Sequence, residues 1–368
     1  MPENPLVALG RLGQSIWLDF ITRRLVASGR LAGLIEGDGL RGMTSNPTIF
    51  EKAISGSEDY DEDIRRLAAD GATPARIFEK LAVTDVRSAC DLFRPLYDAT
   101  GGADGLVSLE VNPELAHDTE GTAAEAARLW SAVDRPNAMI KIPGTRAGLG
   151  AISGAIADGI NVNVTLLFSV ARYAEVIAAF QEGLDRRAAS GQPVARIASV
   201  ASFFVSRVDG QVDPRLDQRT PASSVRGRAA IANAAEAYGL FGRSLASPAW
   251  QRLAKLGARP QRPLWASTST KDPAYPDTYY VDALIAPDTV NTLPPDTLDA
   301  YRDHGRPEVR LPAAQQDAPG VLRALREAGI DLDQVTAWLE DDGVAKFAAS
   351  YRQLLAGIEA KAHALALG

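Results

Sequence analysis

The sequence is short of cysteine, histidine and positive charge, and it contains no long apolar run. Its one cysteine, Cys90, excludes an intrachain disulfide, which favours a reducing compartment, the cytoplasm, and a buried apolar role for this side chain. Lys and Arg number 39 against 46 Asp and Glu, and the formal net charge of -7 disfavours nucleic acid and membrane surfaces as partners. The N-terminal residues lack the features of a signal peptide, and no segment has the apolar length of a membrane span. The predicted partner is a small soluble molecule.

The sequence also lacks the motifs of the common cofactor sites. Its three histidines, His117, His304 and His363, are far apart and do not have the spacing of metal ligands. The glycines of residues 144–154 (GTRAGLGAISG) match neither a P-loop nor the dinucleotide-binding fingerprint. We therefore expect no metal and no nucleotide cofactor.

Short apolar segments alternate with long amphipathic or alanine-rich ones, which is typical of parallel strands joined by helices. Eight such units predict an α/β fold, a (β/α)8 TIM barrel, with additional helices. No linker divides the 368 residues, so a single domain is expected over 1–368. The predicted strands are residues 15–21, 40–46, 106–112, 138–143, 161–168, 196–206, 264–270 and 282–287.

Helices are predicted between these strands and at the C-terminus. The C-terminal part, from about residue 331 to 367, is expected to form two helices whose apolar residues, Trp338 and Phe347 among them, contact the core. The polar residues 207–228 are predicted to be a loop, which is either an active-site loop or a solvated surface loop. The other predicted helices are residues 74–97, 122–133, 147–157, 170–189 and 229–245.

Lys141 is the only charged residue in an apolar strand, residues 138–144 (AMIKIPG). A buried site disfavours the charged form of a lysine, and a neutral amine is a nucleophile toward carbonyl groups. The segment therefore suggests a Schiff-base lysine. The alternative is a lysine whose stem packs against the strand and whose amine reaches water.

The alternation of side chains along a strand assigns polar residues to the barrel interior. Residues 161–166 (NVNVTL) place Asn161, Asn163 and Thr165 on one face and apolar residues on the other. The same rule directs Asp19 and Glu110 inward, away from the apolar faces of their strands.

The second predicted strand places Thr44 and Asn46 on a common face. A structural hydrogen bond explains any one of these residues, but two carboxylates, several amides and an amine in one apolar interior predict a polar ligand. The ends of these strands are where barrel enzymes have their active sites.

The later strands add groups for an anionic ligand. Ser202 and Phe204 share a face of the sixth predicted strand, and Arg207 follows its end, where a guanidinium can bind a phosphate with two hydrogen bonds. Lys271 follows the seventh predicted strand and supplies a second cation. Surface salt bridges are the alternative for Arg207 and Lys271, and a plain core role is the alternative for Phe204.

Six motifs in this order resemble the transaldolase family, in the longer-chain branch of actinobacterial type. The resemblance extends to the C-terminal residues 343–361 (GVAKFAASYRQLLAGIEAK). It implies a (β/α)8 barrel that uses a class I aldolase mechanism. The implied reaction transfers a dihydroxyacetone unit from sedoheptulose 7-phosphate to glyceraldehyde 3-phosphate, giving erythrose 4-phosphate and fructose 6-phosphate. The motifs are GMTSNPTIFEKAI, SLEVNPELAHDT, MIKIPGT, GINVNVTLLFS, SVASFFVSRVD and LWASTSTKDP.

The resemblance assigns the catalytic roles residue by residue. It implies that Lys141 forms the Schiff base, that Asp19 transfers the proton of the C4 hydroxyl, and that Glu110 acts through a water molecule. Thr165 matches the hydroxyl beside that water.

The resemblance also implies substrate-binding roles. Asn46 and Asn163 match amides that hold donor hydroxyls and the imine region, and Thr44 lies with them. Ser202 matches a donor-binding residue, and Arg207 matches a phosphate-binding one.

Two positions separate this chain from its neighbours in the family. Phe204 stands where fructose 6-phosphate aldolases of the family usually have tyrosine, which favours transfer over the release of free dihydroxyacetone. The segment 266–271 reads ASTSTK where this branch usually has ASTGVK, so the segment that carries Lys271, the second expected phosphate contact, departs from the family pattern.

Two other functions remain alternatives at this stage. One is a fructose 6-phosphate aldolase-like enzyme, and the other is a non-catalytic barrel that binds sugar phosphates. In each case the expected partners are sugar phosphates, and the protein is expected to be a monomer or a homodimer.

Overall fold

The fold is a closed barrel of parallel strands, as predicted. The computed structural model describes residues 4–219 and 223–367; residues 220–222, within the predicted 207–228 loop, and the ends of the predicted 1–368 domain lie outside it. Each strand pairs with its neighbours in chain order, and the first strand pairs with the eighth. The strands are β1 (Gln14–Asp19), β2 (Gly42–Thr44), β3 (Leu106–Glu110), β4 (Ala138–Pro143), β5 (Val162–Leu167), β6 (Ser199–Phe204), β7 (Arg262–Ala266) and β8 (Thr289–Leu293).

Helices follow the strands and surround the barrel. Several begin where a hydroxyl caps the first turn; Thr73, for example, accepts a hydrogen bond from the backbone of Arg76 ahead of a long helix. None of the described helices is long and apolar enough to cross a membrane. The helices are α1 (Pro5–Arg11), α2 (Arg23–Ala27), α3 (Arg30–Gly37), α4 (Pro47–Ser55), α5 (Asp61–Ala69), α6 (Pro74–Ala99), α7 (Thr119–Val133), α8 (Gly148–Ala157), α9 (Val170–Ala189), α10 (Ser206–Arg219), α11 (Ala229–Leu245), α12 (Pro248–Lys255), α13 (Tyr279–Ala283), α14 (Pro295–His304), α15 (Leu311–Glu327) and α16 (Leu332–Leu367).

Trp17 occupies the barrel interior below the carboxyl ends of β1 and β2. Trp17 is fully buried and stands opposite Gly42 in the pairing of β1 with β2. A Cβ atom at Gly42 would lie 2.5 to 2.7 Å from the Trp17 indole ring, so the absence of a side chain there makes room for the ring. The next inward pair, Asp19 and Thr44, therefore lies above the buried Trp17 ring, at the carboxyl ends of the strands.

The predicted eighth strand, residues 282–287, is wrong. Residues 279–283 form α13, and the strand is Thr289–Leu293. The apolar residues Leu284, Ile285 and Ala286 are fully buried, but they lie in a connection. A short apolar run cannot distinguish a buried connection from a strand, whereas the more polar TVNTL segment carries the weaker signal for the true strand.

Two predictions about helices are also wrong. Residues 207–219 of the expected 207–228 loop lie in α10, and the expected pair of C-terminal helices is one helix, α16. Within α16, the predicted core role is wrong for Trp338, which is 46% exposed, whereas Phe347 is buried as predicted. A Cβ atom at Gly343 would lie 3.1 Å from the Leu166 side chain, so this glycine lets α16 lie close to the end of β5.

Cys90 agrees with its predicted role. It lies in α6 and is fully buried, and burial raises the pKa of its thiol.

Candidate active site

Lys141 projects from β4 into the interior at the carboxyl end of the barrel. Its side chain is 5% exposed, so the amine is held among protein atoms and the alternative of an amine in water is wrong. The amine donates a hydrogen bond of 3.0 Å to the carbonyl oxygen of Ser45. It also lies 3.3 Å from Oε2 of Glu110, which occupies the adjacent register position on β3.

Glu110 is buried beside the Lys141 amine. Burial raises the pKa of Glu110 to about 7, although the positive charge of the Lys141 amine opposes the shift. Among the described residues, neither carboxylate oxygen of Glu110 has a partner that meets hydrogen-bond geometry, and Oγ1 of Thr165 is also without one. These buried oxygens are therefore available for a polar ligand or a reacting group.

Asp19 is the second buried carboxylate, at the end of β1. Oγ1 of Thr44 donates to its Oδ1 at 2.7 Å, and the hydroxyl of Thr292 lies 2.7 Å from that of Thr44. Burial raises the pKa of Asp19, while the charge of Lys141, the hydrogen bond from Thr44 and the charge of Arg207 oppose the rise. Thr44 on β2 therefore holds Asp19, and Thr292 on β8 in turn contacts Thr44.

Asn163 supports the site from β5, at the register position beside Lys141. It is fully buried, its Nδ2 donates to Oγ of Ser108 at 3.0 Å, and its Oδ1 accepts from Oγ of Ser202 at 2.7 Å. Asn161, on the same face, instead donates to the carbonyls of Pro136 and Ala138 at the opposite end of the barrel. The side chain of Asn161 therefore makes structural hydrogen bonds and does not belong to the polar cluster around Lys141.

The regular alternation of β5 stops directly after Thr165. Leu166 has a positive φ of 59°, and the pairing of β5 with β6 shifts between Val164 and Leu167. Such a bulge redirects side chains, and here it lies next to the polar cluster. The inward position of Thr165 is the last one that strand parity can assign.

Positive charge collects at the mouth of the cavity. Arg207, at the start of α10, has its guanidinium 5.1 Å above the Phe204 ring, and within the described part of the chain its Nη1 has no hydrogen-bond partner. Lys271 donates to Oγ of Ser269 at 2.7 Å. The cavity walls partly desolvate Lys271 and, with repulsion from Arg207 and Lys52, lower its pKa. Cations that repel one another in this way favour an anionic ligand.

Most of the predicted site residues line one cavity of about 310 Å³. Glu110 and Asn163 lie beside it and reach it through Lys141 and Ser202, their contact partners. The predicted residues that line the cavity are Asp19, Thr44, Asn46, Lys141, Thr165, Ser202, Phe204, Arg207 and Lys271.

The sequence reasoning missed several residues of this cavity. Thr292 was missed because the eighth strand was misplaced, and Lys52 lies in the motif GMTSNPTIFEKAI, beyond the predicted strand 40–46 to which the alternation rule applies. Ser267 and Ser269 follow the end of β7, which is the signal that could have identified them. Phe347 was predicted to be a core residue, and its ring also lines the cavity.

Together, the fold and the site define the class of protein. A parallel eight-stranded barrel whose carboxyl ends bring a lysine, two carboxylates and a group of cations together is a (β/α)8 barrel enzyme site. The sequence matches the family model for "Transaldolase/Fructose-6-phosphate aldolase" over residues 16–358. The chain belongs to this family, which confirms the resemblance seen in its motifs.

Relatives of high identity cover nearly the whole chain. A transaldolase of Parafrankia sp. (strain EAN1pec) is 52% identical over 356 residues, which are 96% of each chain. A transaldolase of Acidothermus cellulolyticus is 52% identical over 358 residues, again 96% of each chain. A transaldolase of Thiobacillus denitrificans is 49% identical over 352 residues, covering 95% of this chain and 98% of its own.

Proposed function

We propose that this chain is a transaldolase that moves a dihydroxyacetone unit between sugar phosphates through a Schiff base on Lys141. The donor is sedoheptulose 7-phosphate or, in reverse, fructose 6-phosphate, and the acceptor is glyceraldehyde 3-phosphate or erythrose 4-phosphate. The observation that carries the proposal is the buried Lys141 amine, 3.3 Å from Glu110, in a barrel that also holds buried Asp19. The family and the names of the relatives support the same reaction.

The first steps form the imine. Glu110 takes a proton from the Lys141 ammonium, and the free amine attacks the C2 carbonyl of the donor to give a carbinolamine. Glu110, now protonated, returns a proton to the C2 hydroxyl, which leaves as water. Thr165, with its free buried hydroxyl in the same cavity, orients that water. The resulting iminium ion withdraws electrons from the C3–C4 bond.

The second half exchanges the aldose. Asp19 removes the C4 hydroxyl proton, the C3–C4 bond breaks, and its electron pair moves into the enamine that remains on Lys141. The aldose phosphate leaves, and C3 of the enamine attacks the carbonyl carbon of the acceptor while Asp19 returns the proton. Hydrolysis of the new imine releases the ketose product and the amine.

The cations at the mouth define the substrate class. Arg207 and Lys271 bind the phosphate of donor and acceptor, and the Arg207 guanidinium is kept in place by the Phe204 ring. Because these substrates are metabolites of the non-oxidative pentose phosphate pathway, the same proposal places the enzyme in the cytoplasm. The proposed assembly stays that of a monomer or a homodimer.

Reductive trapping tests the Schiff base. Borohydride with fructose 6-phosphate is expected to leave a three-carbon adduct on the peptide that contains Lys141. Lys141→Met should show no adduct, and Lys271→Met should keep it. An adduct on another residue, or none on the wild-type chain, would show that the mechanism is wrong.

Dependence on acceptor separates transfer from aldol cleavage. We expect fructose 6-phosphate consumption to require an added aldose acceptor, because Phe204 occupies the place of the aldolase tyrosine. Steady release of dihydroxyacetone without acceptor would favour the fructose 6-phosphate aldolase alternative. Tight binding of fructose 6-phosphate without either reaction would favour the non-catalytic barrel.

A further inference from the structure

Lys271 lies on a loop, residues 267–278, that connects β7 to α13. The inner end of this loop is attached to the barrel. The backbone N–H of Ser206 donates to the carbonyl of Ser267 at 3.0 Å, and Oγ1 of Thr268 donates to Oδ1 of Asn291 at 2.9 Å. Ser267 has a positive φ of 54°, an uncommon conformation for serine that these contacts maintain.

The outer end of the loop is held by one arginine from a different segment. Nη2 of Arg226 donates to Oδ2 of Asp272 at 2.7 Å, and its Nη1 donates to the hydroxyl of Tyr275 at 2.6 Å. The guanidinium also lies 5.5 Å from the Tyr275 ring centre. Asp272 directly follows Lys271, so the arginine holds the residue next to the predicted phosphate contact.

Arg226 is itself fixed to α10. Its Nε donates to Oδ1 of Asp217 at 2.9 Å. The neighbouring backbone N–H of Gly227 donates to Oδ1 of Asp213 at 2.9 Å, and Oδ2 of Asp213 accepts from the Tyr275 hydroxyl at 2.7 Å. Helix α10 begins beside Arg207, so these contacts attach the Lys271 loop to the helix that carries the other phosphate contact.

Gly227 allows its backbone to pack closely against Tyr275. Its φ is 73°, and a Cβ atom there would lie 2.7 Å from the ring and hydroxyl of Tyr275. The carbonyl oxygen of Gly227 accepts a hydrogen bond of 3.0 Å from the Tyr279 hydroxyl. The backbone and side chains therefore fit together around Tyr275, which distinguishes this cluster from an exposed ion pair of little energetic weight.

A fixed loop matters because Lys271 has little else to orient it. Lysine has a flexible stem and a compact charge, and Arg207 and Lys52 repel it from the cavity mouth. In the described residues, its Nζ has one side-chain hydrogen bond, to Ser269. Holding the loop before the ligand arrives reduces the entropy lost when the phosphate binds.

We propose that Arg226 is a positioning residue that holds the Lys271 loop against α10 and thereby strengthens binding of the substrate phosphate. The inference rests on the proposed function, in which Arg207 and Lys271 bind that phosphate. It assigns Arg226 no contact with substrate.

The test compares phosphorylated and unphosphorylated acceptors at saturating donor. Arg226→Met is expected to raise KM for glyceraldehyde 3-phosphate and the Ki of inorganic phosphate by about tenfold, the effect of one charge-assisted contact, with kcat within about twofold. KM for D-glyceraldehyde should stay unchanged. Arg228→Met is the matched control, because Arg228 is only two residues away and forms an exposed pair with Asp317; it should leave all these constants unchanged.

Two further variants separate positioning from misfolding. Asp272→Asn should produce part of the effect of Arg226→Met, because Arg226 also contacts Asp217 and Tyr275. The double variant should be no worse than Arg226→Met alone, because the Asp272 contact is already lost in that variant. Arg226→Lys should recover part of the affinity for phosphate. Equal loss of kcat with phosphorylated and unphosphorylated acceptors would overturn the inference.

Lys271→Met distinguishes failure of this inference from failure of the proposed function. A raised Ki for phosphate in Lys271→Met, with no change in Arg226→Met, would refute the role of Arg226 and leave the phosphate site intact. An unchanged Ki in Lys271→Met would refute Lys271 as a phosphate contact, and the role of Arg226 would fall with it.

Discussion

The two carboxylates near Lys141 have different neighbours, and this difference divides the proton transfers between them. Glu110 is paired with the Lys141 amine, whereas Asp19 accepts a hydrogen bond from Thr44. Burial raises the pKa of both, which makes each better able to hold and return a proton during the reaction. We therefore assign imine formation to Glu110 and cleavage of the carbon–carbon bond to Asp19.

Replacing Asp19 should stop the reaction after the imine has formed. We expect Asp19→Asn to lower kcat by about 10² to 10⁴, the usual contribution of a general acid/base. Borohydride should then trap the intact six-carbon donor on Lys141 in place of a three-carbon fragment, as peptide mass spectrometry would show. Near-normal turnover in Asp19→Asn would mean that another group removes the C4 hydroxyl proton.

The pH dependence should report Glu110. Because it must be ionised to accept the ammonium proton, kcat/KM should fall as the pH drops below about 7, the raised pKa of this group. Glu110→Gln should have a lower kcat/KM, by about 10² or more, without an inflection near 7. A profile of kcat/KM against pH for both chains makes the comparison, and an inflection that persists in Glu110→Gln would assign it to a different group.

The same raised pKa predicts how stability changes with pH. In the unfolded chain Glu110 titrates near 4.5, so folding favours its protonated form, and its contribution to stability is complete below that pH. This contribution is lost as the pH rises from about 4.5 to 7. Urea unfolding at several pH values should show a smaller decline over this window in Glu110→Gln than in the wild-type chain; equal slopes would contradict the assignment.

The sequence predicts the position of a side chain well only where a regular backbone rule applies to the strand or helix that carries it. Side chains alternate along each strand, so the residue pattern alone directs Lys141, Glu110 and Asp19 inward, where their side chains lie. The rule applies only after the strand has been located. Thr292 was not predicted as a site residue because the buried apolar run before β8 resembles a strand more closely than β8 itself does. The contacts of Arg226 join segments far apart in the chain and leave no periodic signal.

The pairing of β1 with β2 gives a test of packing in a single element. Gly42→Ala would place a Cβ atom 2.5 Å from the Trp17 ring, and a buried indole has no space to move into. We expect a loss of about 1 to 3 kcal/mol in the free energy of unfolding, measured in urea.

Gly33→Ala is the matched substitution. Gly33 lies in α3, with nothing within 4 Å of an added Cβ atom, so alanine should stabilise the chain by about 0.5 to 1 kcal/mol. If both alanine variants changed stability alike, the clash with Trp17 would not explain the glycine at position 42.

Considered as a whole, the molecule uses its C-terminal helix to complete a site built by its strands. Helix α16 lies close to the end of β5 at Gly343, and one turn later Phe347 enters the cavity lining. The Phe347 ring meets the Phe204 ring edge-on at 6.3 Å, and Phe204 in turn lies 5.5 Å from Phe168. These rings form an apolar wall beside the polar groups around Lys141, and such a wall limits the access of water to an enamine intermediate.

Removing part of this apolar wall should increase the release of free dihydroxyacetone relative to its transfer to an acceptor. Phe347→Ala removes one aromatic contact of the wall, worth about 0.5 to 1.5 kcal/mol, so we expect release of dihydroxyacetone without acceptor to increase by up to about tenfold relative to transfer. The ratio is measured from fructose 6-phosphate with and without erythrose 4-phosphate. Trp338→Ala, on the exposed face of the same helix, should leave the ratio unchanged. An unchanged ratio in Phe347→Ala, with the chain still folded, would mean that the strands alone protect the intermediate and that α16 serves stability only.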